Sequence, residues 1–202
     1  MKKKKINHPI SILNLGGIAN ITSIDNKGEI CSSDIGPGNC LIDMWIRANS
    51  NKYYDHLGNL ARKGSINKII LNQSIENFYD NQISLNKSFD ISDFDLSFVR
   101  GLSLEDGLAT LTEFTAEICS KKILDKNIFT CGGGRKNLFL IERLKKKIKG
   151  KIKQIDTLGI NGDFVESQAF GYLAVRSYLK LPISFPETTG CDKACTGGVL
   201  VK

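Results

Sequence analysis

The stretch that most constrains the fold of this chain runs from Ser11 to Asn39, SILNLGGIANITSIDNKGEICSSDIGPGN. It predicts three short strands in a meander. Ile10, Ile12 and Leu13, then Ile18, Ile21 and Ile24, then Ile30 supply β-favouring side chains. Gly16-Gly17 marks the first turn and Asn26-Lys27-Gly28 the second, each with residues that tolerate positive φ. The third strand ends at Asp34, and Ile35-Gly36-Pro37-Gly38-Asn39 follows at once. A carboxylate at a strand end, set against two glycines and a helix start, is arranged for phosphate chemistry. The glycines let backbone N–H groups approach an anion, and the helix start offers unpaired donors and the positive end of its dipole.

Beyond the meander, Leu41, Ile42, Trp45 and Ile46 recur at helical spacing between Asn39 and Ser50. From about 51 to 105 the periodicity weakens. Ile69, Ile70 and Leu71 predict a short helix or strand, and 72–98 is rich in Asn, Asp and Ser, so we read an insertion packed over the edge of the main fold. A helix then begins at Leu104-Glu105-Asp106 with Ser103 as its cap, one face marked by Leu108, Leu111, Thr115, Ile118 and Leu124. Ile128 to Cys131 predicts a buried strand running into Gly132-Gly133-Gly134. A helix follows from Asn137, with a face of Leu138, Ile141, Leu144 and Ile148, and Ile152 to Ile155 predicts another strand. Asp163 and Glu166, spaced as a capping box, open a last helix through Ala169, Phe170, Leu173 and Val175. The tail, with Pro182, Pro186, Thr188-Thr189-Gly190 and Gly197-Gly198, predicts loops. The order β-β-β-α, insertion, α-β-α-β-α is that of an α/β fold, three antiparallel strands continued by parallel strands with crossover helices. No linker divides residues 1–202, which read as one domain.

Composition narrows the function classes. No apolar run approaches the ~20 residues of a membrane span. The lysines after Met1 resemble the start of a signal peptide, but His8, Pro9 and Asn14 interrupt the apolar residues beyond them and the chain runs straight into the meander, so none is expected. Net charge is +7, with its densest cluster at Lys145-Lys146-Lys147, Lys149, Lys151 and Lys153. Without interleaved aromatics this predicts a solvated helix end that complements the helix dipole, not a nucleic-acid surface. The six cysteines show no zinc spacing and suit free thiols in a reducing cytoplasm, with a redox pair at Cys191 and Cys195 as the alternative.

LNLGGIANIT and DIGPGN resemble the corresponding motifs of anhydro-N-acetylmuramic acid kinases, bacterial sugar kinases of the actin-like ATPase superfamily. Ala109-Thr110-Leu111-Thr112-Glu113 after Asp106, and Cys131-Gly132-Gly133-Gly134 followed by Asn137, are similar to two further family segments. The resemblance implies a ribonuclease H-like fold, ATP with Mg2+ as co-substrate, and a small sugar substrate, 1,6-anhydro-N-acetylmuramic acid, in cell-wall recycling. It covers nearly all of this chain but only the C-terminal half of the family, so a separate N-terminal kinase half or a homodimer partner is expected. A truncated relative that binds nucleotide or a partner chain without turnover is the alternative.

The resemblance assigns roles residue by residue. Asp34 becomes the general base on the water that opens the anhydro ring; read alone, it is first an ordinary turn aspartate capping Gly36 and Gly38. Gly132, Gly133, Gly134 and Asn137 would contact the nucleoside, three consecutive glycines letting backbone lie flat against a ligand. Gly16, Gly17 and Asn20, with Gly36, Gly38 and Asn39, would line the phosphate channel, although a plain hairpin turn also accounts for the first two. Glu166 would lie near the sugar, or serve only its capping box. Two positions depart from the family pattern. Ile35 stands where the family has threonine, removing a hydroxyl that could orient phosphate or water, and Lys87-Ser88-Phe89-Asp90-Ile91-Ser92 stands where the family reads Lys-Ser-Thr-Gly-Arg-Glu.

Overall fold

The computed structural model of the chain describes residues 6, 8–80, 88–123, 127–199 and 201. The lysines at 2–5, Lys87 and Leu124 lie outside the described residues. The meander forms as β1 (Ile10–Leu15), β2 (Ile18–Ile24) and β3 (Ile30–Pro37). Helices α1 (Cys40–Asn49) and α2 (Lys68–Asp80) precede the long α3 (Leu104–Lys122). Then come β4 (Asn127–Cys131), α4 (Leu138–Lys147), β5 (Lys151–Gln154), α5 (Val165–Tyr178) and the short α6 (Pro186–Thr189). The strands make one sheet ordered β3-β2-β1-β4-β5. Only β2 runs against the others, since β1 pairs in parallel with β4 and β4 with β5. This mixed sheet is the expected ribonuclease H-like arrangement.

Period-two alternation divides each strand between the two faces of the sheet. Leu13, Leu15, Ala19, Ile21 and Ile35 bury against Ala116 and Cys119 of α3 and Leu140 and Leu144 of α4. The far side of α3 continues the core through Leu108, Leu111 and Phe114 into Trp45 and Ile46 of α1 and Leu71 of α2. On the opposite face of the sheet Ile10, Phe129 and Cys131 pack with Ile155. Ser103 caps α3 as expected, its hydroxyl accepting from Asp106 N at 3.1 Å. Asn137 caps α4, its Oδ1 accepting from Leu140 N at 3.0 Å.

Four local expectations are corrected. Gly16-Gly17 turns without positive φ; among the meander turns only Gly28 uses it, at 84°. The buried face of α4 is Phe139, Leu140 and Leu144, while Leu138 is 50% exposed, because the helix leans on α3 rather than on the sheet alone. Helix α5 has Phe164 at its N-cap with no side-chain cap, because the Asp163 carboxylate accepts instead from Arg135 Nη1 and Lys136 Nζ, each at 2.8 Å. The apolar face expected of α5 does not meet a core. None of its 14 residues is buried, and Phe170 and Tyr178 are 65% and 72% exposed.

Candidate active site

The strand register builds a polar row across the sheet near the C-terminal ends of β1 and β4. Asp34 lies opposite Asn20, Asn20 opposite Asn14, and Asn14 opposite Cys131. A carboxylate therefore stands at one end of the row and the glycine turn that follows Cys131 at the other. Ligands of open α/β sheets gather outside the carboxyl ends of the parallel strands, where this row lies. Asn14 is the member that sequence reasoning missed. Its signal was there: an amide breaking an apolar strand, on the face that alternation assigns to neither core leucine. Its Oδ1 accepts a weak hydrogen bond from Cys131 Sγ at 3.7 Å.

Asp34 is partly buried, and its Oδ2 accepts from the Phe89 backbone N–H at 2.9 Å. Among the described residues its Oδ1 has no hydrogen-bond partner, which leaves that oxygen available to a ligand or a water. It borders a cavity of about 560 Å³ whose walls carry Asn20, Thr22, Ser32, Ser88, Thr188 and Thr189. Thr22 and Ser32 share a hydrogen bond of 2.8 Å across β2 and β3. A wall of hydroxyls and amides around one carboxylate suits a polyhydroxylated ligand, whose groups both donate and accept. Thr188 and Thr189 come from α6, which packs on β3. The sequence marked them only as loop.

Ile35, expected as a lost hydroxyl at the site, is 2% exposed and faces the core between the sheet and α3. Ile35 is the extra residue of a bulge, between Asp34 opposite Asn20 and Gly36 opposite Ala19, and a hydroxyl there would sit among the apolar side chains of the core.

The three glycines divide into two kinds. Gly132 holds φ at 77°, and a Cβ there would fall 2.4 Å from Asn14 Oδ1 and 2.8 Å from Leu15 O. At Gly134 a Cβ would meet Leu15 Cβ at 2.7 Å and Asn39 Nδ2 at 2.8 Å. Close packing on the end of β1 thus accounts for both. Gly133 faces open space, with nothing within 4 Å of a built Cβ, and it is the glycine that leaves room for a ligand. The turn is fastened from behind by Arg135, whose buried guanidinium donates to Gly132 O at 3.0 Å, Asp156 at 3.1 Å and Asp163 at 2.8 Å. Hydrogen bonds from Arg135 and then Lys136 hold the Asp163 carboxyl well below the usual carboxylate range. Asn137, expected at the nucleoside, is buried as the cap of α4, where its Oδ1 also sits against Gly58.

The turn between β3 and α1 commits three of its donors, the last being the first N–H of α1, to the neighbouring turn. Gly38 N and Cys40 N donate to Gly17 O at 2.9 and 3.1 Å, and Asn39 N donates to Gly16 O at 2.8 Å. The two turns are pressed together so closely that a Cβ on Gly38 would lie 2.2 Å from Gly16 O. Thr115 of α3 supports the same turn by donating to Gly38 O at 3.3 Å. Gly36 packs against Ile118, and the Asn39 amide reaches Leu15 O at 3.4 Å. These residues shape the turn; Gly17 and Asn20 face the site side, Gly17 beneath Ile91 and Asn20 on the cavity wall.

Glu166 is exposed in the first turn of α5 and does not line the Asp34 cavity. The α3 motif is used for packing. Asp106 accepts from Ser65 N, Thr110 accepts from Asn67 N, and Glu113 binds Arg143 and Lys147. Among the described residues no group of three or more His, Cys, Asp or Glu could hold a metal ion, and no helix is long and apolar enough to cross a membrane.

Residues 3–202 match the family model described as anhydro-N-acetylmuramic acid kinase. The anhydro-N-acetylmuramic acid kinase of Pelagibacter ubique (strain HTCC1062) is 49% identical, over 100% of this chain and 57% of the relative. That of Zymomonas mobilis subsp. mobilis is 40% identical, over 95% of this chain and 54% of the relative. Among solved structures, the activator of the 2-hydroxyisocaproyl-CoA dehydratase from Clostridium difficile, with bound ADPNP, aligns with a TM-score of 0.49 at 15% identity, over 79% of this chain and 57% of that one. The chain spans about half the length of the curated relatives it matches.

Proposed function

The chain belongs to the anhydro-N-acetylmuramic acid kinase family, and from that premise we propose that it supplies one wall of a carbohydrate-kinase active site. The reaction is the ATP-dependent conversion of 1,6-anhydro-N-acetylmuramic acid, with water, to N-acetylmuramic acid 6-phosphate and ADP. Water adds to C1 of the sugar, the C1–O6 bond breaks, and O6 takes the γ-phosphoryl group. The proton released by the water passes to Asp34 Oδ1, the oxygen that has no partner among the described residues. The observation that carries this reading is the register row from Asp34 through Asn20 and Asn14 to Cys131. It sets a proton acceptor and an open glycine turn along one edge of the sheet, as an in-line transfer between sugar and nucleotide requires.

In this reading the hydroxyl-lined cavity beside Asp34 takes the sugar, and Gly133 is where the nucleoside approaches the backbone. The absence of a carboxylate or histidine cage among the described residues fits Mg2+ held mainly by phosphate oxygens and water. When bound, the ion neutralises charge on the transferring phosphoryl group. The chain spans about half the length of its curated relatives. We therefore read the chain as the C-terminal half of the kinase, and the N-terminal half as the second wall, supplied by a separate chain or replaced by a second copy. The exposed apolar residues of α5 favour a chain that works against a partner surface. They also support the alternative reading, a module that binds nucleotide or a partner chain without turnover.

The test is reconstitution. The 202-residue chain alone is expected to show no measurable phosphorylation of the anhydro sugar, and addition of a matching N-terminal half, in cis or in trans, to restore it. In the restored enzyme Asp34→Asn should lose about two to four orders of magnitude in turnover, the usual contribution of a general base. Turnover by the chain alone would overturn the need for a second wall; full turnover by Asp34→Asn would return Asp34 to a turn cap.

A further inference from the structure

The segment that departs most from the family pattern is the one that touches Asp34. Phe89 is anchored by its ring, whose centroid lies 6.1 Å from that of Phe78 and 5.5 Å from that of Phe94. Phe78 in turn meets Phe114 of α3 edge-on at 5.9 Å, so the anchor reaches the buried core. Immediately after Phe89 the chain closes a capping box, with Asp90 accepting from Ser92 N at 2.9 Å and Asp93 from Asp90 N at 2.8 Å. Ile91 then rests 3.4 Å from the position a Cβ would take on Gly17. The Phe89 N–H is therefore held twice from its C-terminal side, by the aromatic cluster around its own ring and by the hydrogen-bonded turn that follows.

We infer that Phe89 is a positioning residue for Asp34: its backbone N–H holds Oδ2 so that Oδ1 is presented to the cavity. This rests on Asp34 being the base. The terminal torsion of an aspartate is broad and roughly two-fold, so an untethered carboxylate samples many orientations and spends little time in line with a reacting water. A single charge-assisted N–H bond selects one orientation and distinguishes the two oxygens. Because the donor is main chain, every residue except proline can supply it. The departures from the family's side chains at 89–92 therefore do not remove the donor. The side chain at 89 contributes differently, by holding the segment down.

Two measurements test this, one without activity. In the 202-residue chain the Phe89 amide should be protected from hydrogen exchange. In Asp34→Ala it should exchange at least about tenfold faster, the effect of losing a bond to a charged acceptor, while the Ser92 and Phe94 amides keep their rates. In the restored kinase, Phe89→Pro is compared with Phe89→Ala; both lose the ring and only the first loses the N–H. The proline variant should fall about tenfold to a hundredfold below the alanine variant in kcat, at similar KM for the sugar and similar melting temperature. A Phe89 amide indifferent to Asp34→Ala, or equal kcat in the two variants, overturns the inference. Full turnover by Asp34→Asn alongside a protected Phe89 amide would overturn the base assignment on which it rests, and leave the hydrogen bond as a purely structural contact.

Discussion

Gly132 and Gly133 are adjacent and chemically identical, yet their surroundings call for opposite outcomes on substitution. Gly132 is held at φ 77°, where a Cβ would lie 2.4 Å from Asn14 Oδ1 and 2.8 Å from the Leu15 carbonyl oxygen. Left-handed backbone costs an L-residue roughly 1–2 kcal/mol. Forcing a methyl group into packed structure costs roughly 1–3 kcal/mol more. Gly132→Ala should therefore lose about 2–5 kcal/mol. A chain of this size shifts by about 2–4 °C per kcal/mol, so the loss is on the order of 10 °C in melting temperature. Gly133→Val meets open space and should melt within about 2–4 °C of the parent. Its effect should appear with ligand. A nucleotide at a hundred times its Kd adds about 2.7 kcal/mol to a protein that binds it only when folded, or roughly 5–10 °C. Thermal scans with and without ATP and magnesium should show that increase in the parent and none in Gly133→Val. An undiminished increase in Gly133→Val would remove the glycine turn from the nucleotide site. A Gly132→Ala variant as stable as the parent would refute the packing argument at the end of β1.

Two predictions concern pH. Burial raises the Asp43 carboxyl to about 6, opposed only in part by Arg47. The folded value lies above the unfolded one of about 4, so its contribution is complete below about pH 4 and is lost as pH rises through about 6. Asp43→Asn should thus stabilise the chain on the order of 2 kcal/mol at pH 8 and leave it unchanged at pH 4, as urea titrations at the two pH values would reveal. Glu113 behaves oppositely. Burial pushes its carboxyl up, but hydrogen bonds and charge from Arg143 and Lys147 outweigh this and the net shift is downward. Its stabilisation is present above the ordinary glutamate pKa and disappears as pH falls through the depressed value. Glu113→Ala should cost roughly 2–4 kcal/mol at pH 7 by stripping Arg143 of its carboxylate, and much less at pH 3; an equal cost at both would deny the ion pair its role.

The fold was legible where one face of an element is buried and one is not. Alternation in β1 and β2 and helical spacing in α1 and α3 follow directly from burial against a common core, and their bounds come out as expected. It was least legible in α5. Its apolar residues predict a buried stripe, yet among the described residues none of the helix is buried, because helical spacing marks an apolar face without saying what covers it. Capping chemistry was legible only where no stronger partner competes. Ser103 caps its helix as expected, whereas Asn137 caps α4 although it was expected at the nucleoside. Asp163 has the right spacing, but two cations claim its carboxylate first.

At the candidate site the division is between local and long-range information. The third strand was expected to end at Asp34, but β3 continues past it to Pro37. Ile35 is also local, yet it was expected at the site, and a bulge in β3 instead places it in the core. The Phe89 contact joins residues 55 positions apart through a main-chain donor, so no residue type announces it. The fate of the α1 donors is similar. A helix start binds anions only when no other acceptor reaches its N–H groups. Here the carbonyls of Gly16 and Gly17 take the N–H groups of Gly38, Asn39 and Cys40, the last of them in the first turn of α1, and they do so because Gly38, lacking a Cβ, lets the two turns close to contact. The glycine that resembles part of a phosphate loop is thus what brings the two turns together.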